Sequence, residues 1–337
     1  MAKFCVFCGN PPEHKNQEHI IPQWLIRYTA RGKKAILTDN STHTISFQNF
    51  TLPACEKCNL EFAKLEANTQ QIMIKVLTGQ PITGMDASVL MDWFDKVRVG
   101  LWLAQLCLNP SIRIEPHMFI SQRMGYQDRA LMIQKEPAHP NMHGILLIGT
   151  QSPLFHGLPC AFQMVIDNYI FTNISSIRLV SKQLGFPYPN TITQQAPNQQ
   201  MVNVLRGMGR VGNPAIPGFF PDKTRAIFYQ PIFKSYLTES FTTNPYVVEH
   251  SYDIQNGLGG VFRHTTDGIK YIPADKNIYL KIQDTPLKQV RNASQVPFDL
   301  LEYASQLTLD PKSELNREFA LYRAQNAQIH LKIEHQK

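Results

Sequence analysis

Two C-x-x-C pairs constrain this chain more than any other feature of its sequence. Each pair can place two thiolates on one side of a tetrahedral ion, and Gly9 permits the tight turn that must follow the first pair. Four thiolates form a closed site, for which zinc in a structural role is the natural occupant. The cysteines of the two pairs are Cys5, Cys8, Cys55 and Cys58. The sequence therefore predicts a structural Zn²⁺ site built from two separated segments.

A disulfide or redox interpretation of these cysteines is weaker. Redox C-x-x-C centres occur singly, next to a βαβ pattern that this sequence lacks. The N-terminus has no apolar segment typical of a signal peptide, and no apolar run reaches the roughly 18 residues that span a bilayer. We therefore expect a cytoplasmic protein with reduced thiols and no membrane partner. The other two cysteines, Cys107 and Cys160, have apolar neighbours and are expected to be core thiols.

Length and composition favour a globular chain. The 337 residues suggest two domains, or one domain with a large annex. A hydrophobic content of 43% and a charged content of 18%, without heptad or Gly-X-Y periods, exclude a disordered chain, a coiled coil and a collagen-like fibre. The formal net charge of +7 permits a polyanionic partner, but a generic soluble surface explains it equally well.

The segment between the two pairs carries a carboxylate directly followed by an imidazole. Its 46 residues exceed the roughly 15–20 that usually separate such pairs, so something is inserted there. Glu18 and His19 open the run E-H-I-I-P, which ends at Pro22. Adjacent side chains of a strand point to opposite faces, so both groups could serve one centre only if the strand bends, which Pro22 favours. Alone, the pair is more typical of a surface glutamate beside a partly buried histidine. The four-cysteine frame favours a functional site.

The second C-x-x-C pair leads directly into a predicted helix. Leu60, Ala63 and Ala67 lie on roughly one face of this helix, among strong helix formers. Asn59 would occupy its first turn, where the amide can either cap the helix or ligate a metal through its carbonyl oxygen. Capping is the commoner role, and the sequence leaves both alternatives open.

In combination, residues 5–66 resemble the HNH endonuclease family in its zinc-containing ββα-metal form. The resemblance rests on the order of the motifs: C-x-x-C, then E-H-I-I-P, then T-L-P-x-C-x-x-C-N followed by a helix. It implies that His19 is the general base and that Glu18 and Asn59 hold a catalytic divalent ion, Mg²⁺ or another. A neutral histidine can take a proton from the attacking water at pH 7, and a hard ion held by oxygens stabilises charge on the phosphodiester.

The sequence departs from the family's pattern at two positions. The middle asparagine of the pattern would be Asn49 if the loop is one residue longer, and Asn49 is equally typical of a turn. The position of a second ligand, one turn after Asn59, is Ala63, and Glu66 lies two turns away, where it is expected to fall short of the same ion. So sparse a ligand set implies weak metal binding without substrate, or a site completed by phosphate oxygens.

A group of basic residues lies close to these motifs in the sequence. They would seat a DNA backbone without reading its sequence. The alternative is a solvated face, with the neighbouring Trp24 packed in the core. The basic residues are Arg27, Arg31, Lys33 and Lys34.

The expected fold class is α+β, with an N-terminal ββα-metal module followed by a larger α+β domain of unknown role. The module would cover residues 1–79 and the larger domain residues 80–337. Lys96 and Arg98 lie on the first predicted helix of the larger domain and are expected to be surface residues with snorkelling stems. The predicted elements are a helix at 86–108, antiparallel strands within 110–282 interrupted by a loop or hinge at 186–222, and closing helices within 298–333.

These observations favour a metal-dependent endonuclease that acts on DNA, although the residues do not distinguish DNA from RNA. One ββα unit cuts one strand, so a homodimer could cut both. By analogy, a restriction or phage-defence effector has this kind of organisation. The alternative is a zinc-ribbon nucleic-acid-binding or sensor protein whose nuclease module is inactive or gated by a ligand.

Overall fold

The computed structural model has the α+β architecture that the sequence predicts. Among the residues that it describes, no helix is long and apolar enough to cross a membrane. The described residues are 4–14, 16–30, 36–38, 44–46, 51–108, 115–116, 118–122, 128–138, 144–150, 152–176, 180–181, 185, 188–196, 199–205, 224–233, 245–265, 267–285 and 295–301.

Short strands and three helices form the N-terminal part. In chain order these are β1 (Asn16–His19), α1 (Gln23–Ala30), β2 (Ile36–Thr38), β3 (Thr44–Ser46), β4 (Thr51–Ala54), α2 (Glu56–Leu77) and α3 (Gly84–Leu108). Antiparallel pairing joins β1 to β4 and β2 to β3. Because α2 follows β4 with Cys55 alone between them, the second cysteine pair fixes the junction between strand and helix.

The rest of the chain is mainly antiparallel sheet. Its elements are β5 (Asp128–Lys135), β6 (Ile145–Ile148), α4 (Pro153–Gly157), β7 (Ala161–Ile166), β8 (Tyr169–Ser176), β9 (Tyr188–Ala196), β10 (Gln199–Leu205), β11 (Arg225–Pro231), α5 (Pro245–Glu249), β12 (Ser251–Asp253), β13 (Leu258–Gly259), β14 (Val261–Thr265) and β15 (Gly268–Ile272). Seven strands form one sheet in the order β15-β14-β11-β5-β8-β7-β6. Nearly every residue of β5, β7, β8 and β11 is buried, so these strands form the centre of the core.

Helix α3 packs between the N-terminal elements and the sheet. It is rich in large apolar residues all round, as expected for a helix that is covered on several sides. Trp93 lies 6.3 Å from Trp24 of α1, measured between ring centroids, while Phe94 stacks on Phe171 of β8 at 5.2 Å. One continuous cluster of buried apolar side chains therefore runs from the N-terminal elements through α3 to the sheet.

The predicted domain boundary falls between α2 and α3, at residues 79 and 80. The hydrophobic core is continuous across this position. Independent folding of residues 1–79 stays a prediction.

Two predictions about the larger region are wrong in part. The range 186–222 was expected to be a loop or hinge, yet β9 and β10 pair as an antiparallel hairpin within it. Alternating Thr, Ile and Val residues favour strands here more strongly than the Gln, Asn and Pro content favours a loop. The sequence also predicts a strand from Lys270 to Ile282, but β15 ends at Ile272, because Pro273 cannot donate to a ladder. Of the closing helices predicted within 298–333, residues 298–301 are described and are helical, in a helix that is described from residue 295; the remainder lies outside the described residues.

Candidate functional site

The two C-x-x-C pairs meet in space. The first lies in the loop before β1, and the second spans the start of α2. All four sulfur atoms lie within 4.8 Å of one another, and the Sγ atoms of Cys8 and Cys55 are 3.9 Å apart. Tetrahedral coordination with metal–sulfur bonds of about 2.3 Å would separate the sulfurs by roughly 3.8 Å. The four cysteines therefore lie close enough to hold a metal ion.

Local backbone geometry aims the thiols at one point. Gly9 has φ +81°, in the left-handed region, and its N–H donates to the Cys5 carbonyl oxygen at 2.8 Å, which closes the turn after the first pair. Cys55 is the N-cap of α2, and its N–H donates to Cys5 Sγ at 3.2 Å. The turn and the helix start therefore present their sulfurs to each other.

Burial and the other sulfurs shift the pKa values of the clustered cysteines in opposite directions. Burial, with the nearby charge of Cys5, raises the pKa of the Cys58 thiol to about 12. Burial also acts against the Cys5 thiolate, but N–H groups of Cys55, Cys8 and Phe7 outweigh it and lower the pKa of Cys5. Four thiolates at these distances repel one another, so a bound cation is what allows all four to be deprotonated.

The structure places Glu18 and His19 at the end of β1, facing opposite sides of the strand. Glu18 lies opposite Leu52 of β4 and His19 opposite Thr51. Glu18 is 5% exposed, whereas His19 is half-buried, as the alternation of strand side chains requires. The carboxylate therefore faces the interior and the imidazole is the more accessible group.

Glu18 belongs to a charged cluster that the sequence did not predict. Its carboxylate forms an ion pair with the ammonium of Lys96 on α3, which also pairs with Glu66 on α2. Lys96 Nζ further lies 3.4 Å from the carbonyl oxygen of His19. We call Glu18, Lys96 and Glu66 the acid–lysine cluster. It ties β1, α2 and α3 together at one point.

Burial and charge shape the acid–lysine cluster. Burial raises the pKa of Glu18, as does the neighbouring charge of Glu66, and Lys96 opposes both effects only in part. Burial disfavours the charged form of Lys96, but the two carboxylates outweigh it and raise the pKa of the lysine. Lys96 therefore remains an ammonium while fully buried.

The expectation that Lys96 and Arg98 are surface residues is wrong. Both are completely buried on α3. Glu66, which was expected to fall short of the ion at Asn59, pairs with the same lysine as Glu18; its distance from such an ion stays a prediction. A signal was present in the sequence, because charges within a helix that is apolar all round must find buried partners. The identity of those partners was not readable, since they come from distant segments.

Asn59 does not cap its helix. Cys55 is the N-cap residue of α2, and the Asn59 amide Nδ2 instead donates to the carbonyl oxygen of Gln17 on β1, at 3.4 Å. Gln17 precedes Glu18, so Asn59 and Glu18 lie on neighbouring elements that are in contact. Of the two alternatives left open by the sequence, the structure excludes capping; ligation of a metal stays a prediction.

The remaining predicted site residues are largely outside the described part of the chain. Arg27 lies on α1 and is exposed, and Trp24 is half-buried against Trp93. Asn49, Arg31, Lys33 and Lys34 fall outside the described residues. Within the described residues, the four cysteines form the only group of three or more Cys, His, Asp or Glu whose ligand atoms converge.

A second buried charged cluster lies on the sheet side of α3. Arg129 of β5 donates to Asp92 at 2.7 Å, to Asp95 at 2.9 Å and to the side-chain oxygen of Gln230. Arg98 donates to the other oxygen of Asp95 at 3.0 Å. We call Asp92, Asp95, Arg98 and Arg129 the arginine cluster. Its two guanidinium groups and two carboxylates balance in charge.

Comparisons of the chain with protein-family models, with curated proteins and with solved structures find no match.

Proposed function

We propose that this protein is a metal-dependent endonuclease of the HNH type that hydrolyses phosphodiester bonds in DNA. The observation that carries the proposal is the contact of Asn59 with Gln17, which brings the start of α2 against the strand that bears Glu18 and His19. The resemblance assigns catalysis to these elements. The four converging cysteines, which lie in the loop before β1 and at the start of α2, support the same assignment.

In this proposal the cysteine cluster holds zinc. A site with four thiolate ligands leaves no coordination position for water or substrate, so its role is structural. It would fix the start of α2 relative to the loop before β1, and thereby the position of Asn59.

The catalytic steps fall to residues of β1 and α2. His19 would accept the proton of the attacking water, for which its partial exposure is suitable. The oxygens of Glu18, Glu66 and Asn59 are donors of the kind that a hard divalent ion prefers. When bound, such an ion supplies positive charge that stabilises the transition state and the leaving oxygen. Arg27 on α1 would contact the DNA backbone, with Arg31, Lys33 and Lys34 following it in the sequence.

Plasmid cleavage tests the proposal. Supercoiled DNA is incubated with the zinc-loaded protein, with and without Mg²⁺ or Mn²⁺, and an RNA substrate is tested in parallel. We expect metal-dependent nicking or linearisation that His19→Ala abolishes. Gln17→Ala is the matched control, because this exposed side chain lies on the same strand. A folded, zinc-containing His19→Ala protein that cuts as fast as the parent would refute the role of His19.

One observation favours a second candidate function. Glu18, the expected metal ligand, is already paired with Lys96. A zinc-ribbon nucleic-acid-binding or sensor protein with an inactive nuclease module would have such a blocked carboxylate. In that case the wild-type protein binds a labelled DNA duplex in a salt-dependent manner but leaves plasmid intact with every divalent ion.

A further inference from the structure

The acid–lysine cluster differs from the arginine cluster in its balance of charge. Two carboxylates and two guanidinium groups cancel in the arginine cluster. In the acid–lysine cluster two carboxylates share one ammonium, which leaves one negative charge in excess. Among the described residues, the charged groups that act on Glu18 are Lys96 and Glu66. A buried excess of negative charge favours the binding of a further cation.

One side chain of the acid–lysine cluster is partly exposed to solvent. Lys96 is fully buried and the Glu18 side chain is 7% exposed, but the Glu66 side chain retains 23% exposure. A cation could therefore approach from the side of Glu66 without unfolding the surrounding elements. Because Lys96 lies between the two carboxylates, that cation would meet an ammonium already in place.

We propose that Lys96 is a built-in cation that keeps the affinity of this site for a divalent ion low until a phosphodiester binds. The proposal rests on the nuclease function proposed above and adds to it an order of assembly. A divalent ion added to the cluster alone gives the site a net positive charge. A phosphodiester brings one negative charge, and the two carboxylates, the lysine, the ion and the phosphodiester are then neutral together.

It follows that the ion and the nucleic acid bind cooperatively. Each supplies the charge that the other needs, so each raises the affinity of the protein for the other by the same factor. Lys96 causes this coupling because it has already neutralised one of the two carboxylates. Without Lys96, two carboxylates would bind a divalent ion well in the absence of DNA.

The test measures Mn²⁺ binding rather than activity. Binding to the zinc-loaded protein is followed by electron paramagnetic resonance of free Mn²⁺, in a His19→Ala background that prevents cleavage. We expect Lys96→Met to bind Mn²⁺ about tenfold more tightly than the background protein. Lys96→Arg, which retains the charge, should bind as weakly as the background. Lys75→Met is the matched control, because it removes a partly exposed lysine that pairs with Asp86 outside the acid–lysine cluster.

Linkage to DNA is measured on the same proteins. By fluorescence anisotropy of a labelled duplex, Mn²⁺ should tighten DNA binding of the background protein about tenfold and that of Lys96→Met much less. If Lys96→Met does not fold, Glu66→Gln replaces it. One carboxylate then balances Lys96, and Mn²⁺ affinity should fall about tenfold.

The proposal is overturned if folded Lys96→Met binds Mn²⁺ no more tightly than Lys75→Met. It is equally overturned if Glu66→Gln binds Mn²⁺ as the background protein does. Failure of the nuclease proposal is distinguishable, because it appears as intact plasmid with the wild-type protein whatever the affinities for Mn²⁺. Tight Mn²⁺ binding by Lys96→Met, together with plasmid that the wild-type protein leaves intact, would retain the role of Lys96 and reject the nuclease.

Discussion

The cysteine cluster and the acid–lysine cluster both connect α2 to the segment around β1, and they do so by different means. The cysteine cluster lies at the start of α2, and its four sulfurs are close enough to hold a metal ion taken from solution. The acid–lysine cluster contacts the same helix at Glu66 and receives its cation from Lys96 of α3. Removal of the metal should therefore release one attachment, and a single substitution should release the other.

The largest effect that separates the two clusters should come from loss of zinc. Cys58→Ser, or a strong chelator, is expected to unfold the N-terminal part, because structural zinc sites contribute roughly 10–16 kcal/mol of apparent binding energy. Circular dichroism melts and zinc analysis measure this change. Cys107→Ser is the control, since Cys107 is a half-buried thiol outside the cluster. A Cys58→Ser protein with unchanged zinc content and melting temperature would contradict the comparison.

The next effect should come from removal of the internal cation. Lys96→Met leaves two carboxylates without their shared partner and is expected to lower the free energy of unfolding by about 3–5 kcal/mol in the absence of added divalent ions. Lys75→Met breaks the partly exposed pair with Asp86 and should cost about 1 kcal/mol. Urea denaturation of the zinc-loaded proteins gives both values. Equal losses would show that the buried cluster contributes no more than a surface pair.

A buried carboxylate that is held by neutral donors extends the comparison. Asp128 accepts hydrogen bonds from Ser176 and from the N–H and hydroxyl of Ser181, and burial raises its pKa to about 6 from 3.8. The folded state therefore holds this proton at a pH where the unfolded state has lost it. Its contribution to stability is complete below pH 3.8 and disappears as the pH rises through about 6.

Asp128→Asn should remove that dependence on pH. The difference in unfolding free energy between the variant and the wild type is expected to change by at most about 3 kcal/mol across this range. Urea melts at closely spaced pH values measure it. The prediction fails if the difference stays constant between pH 4 and pH 6.

The smallest effect concerns the close approach of α3 to Ile20, the residue that follows β1. A Cβ at Gly100 of α3 would lie 2.8 Å from Ile20 Cδ1. Gly100→Ala is therefore expected to destabilise the fold by about 1–2 kcal/mol, despite the better helix propensity of alanine. Ile20→Val removes the Cδ1 atom, so the double variant should lose less than the sum of the two single losses. Strict additivity in thermal melts would show that the two residues do not meet.

The cysteine cluster could be predicted from the sequence, because each C-x-x-C pair is a short local pattern. Two short spacings and one glycine were enough to predict which four sulfurs converge, and α2 and α3 followed from long, regular apolar patterns. The acid–lysine cluster was not predictable in this way. Its members are separated by 48 and 30 positions along the chain, and each is an ordinary charged residue in its own segment. Only the packing of three elements identifies them as partners.

The sheet, too, could be predicted only in part from the sequence. Individual strands were readable from short apolar runs, whereas the order of seven strands and the hairpin of β9 and β10 depend on pairing between distant residues. Strand content within 186–222 was hidden by its polar composition. The catalytic assignment of His19, Glu18 and Asn59 stays a prediction that the cleavage experiment decides.

Two consecutive residues of α3 belong to different charged clusters, which constrains how this chain can change by mutation. Asp95 contacts both arginines of the arginine cluster, while Lys96, the next residue, belongs to the acid–lysine cluster. Side chains of neighbouring helix residues diverge by about 100°. A rotation of α3 about its axis that improves the contacts of one cluster would therefore disturb those of the other. Replacement of Arg129 or Glu66 is therefore expected to destabilise the fold unless a residue of α3 changes with it. Substitutions among the sheet residues that contact α3 and substitutions near β1 are therefore expected to be correlated.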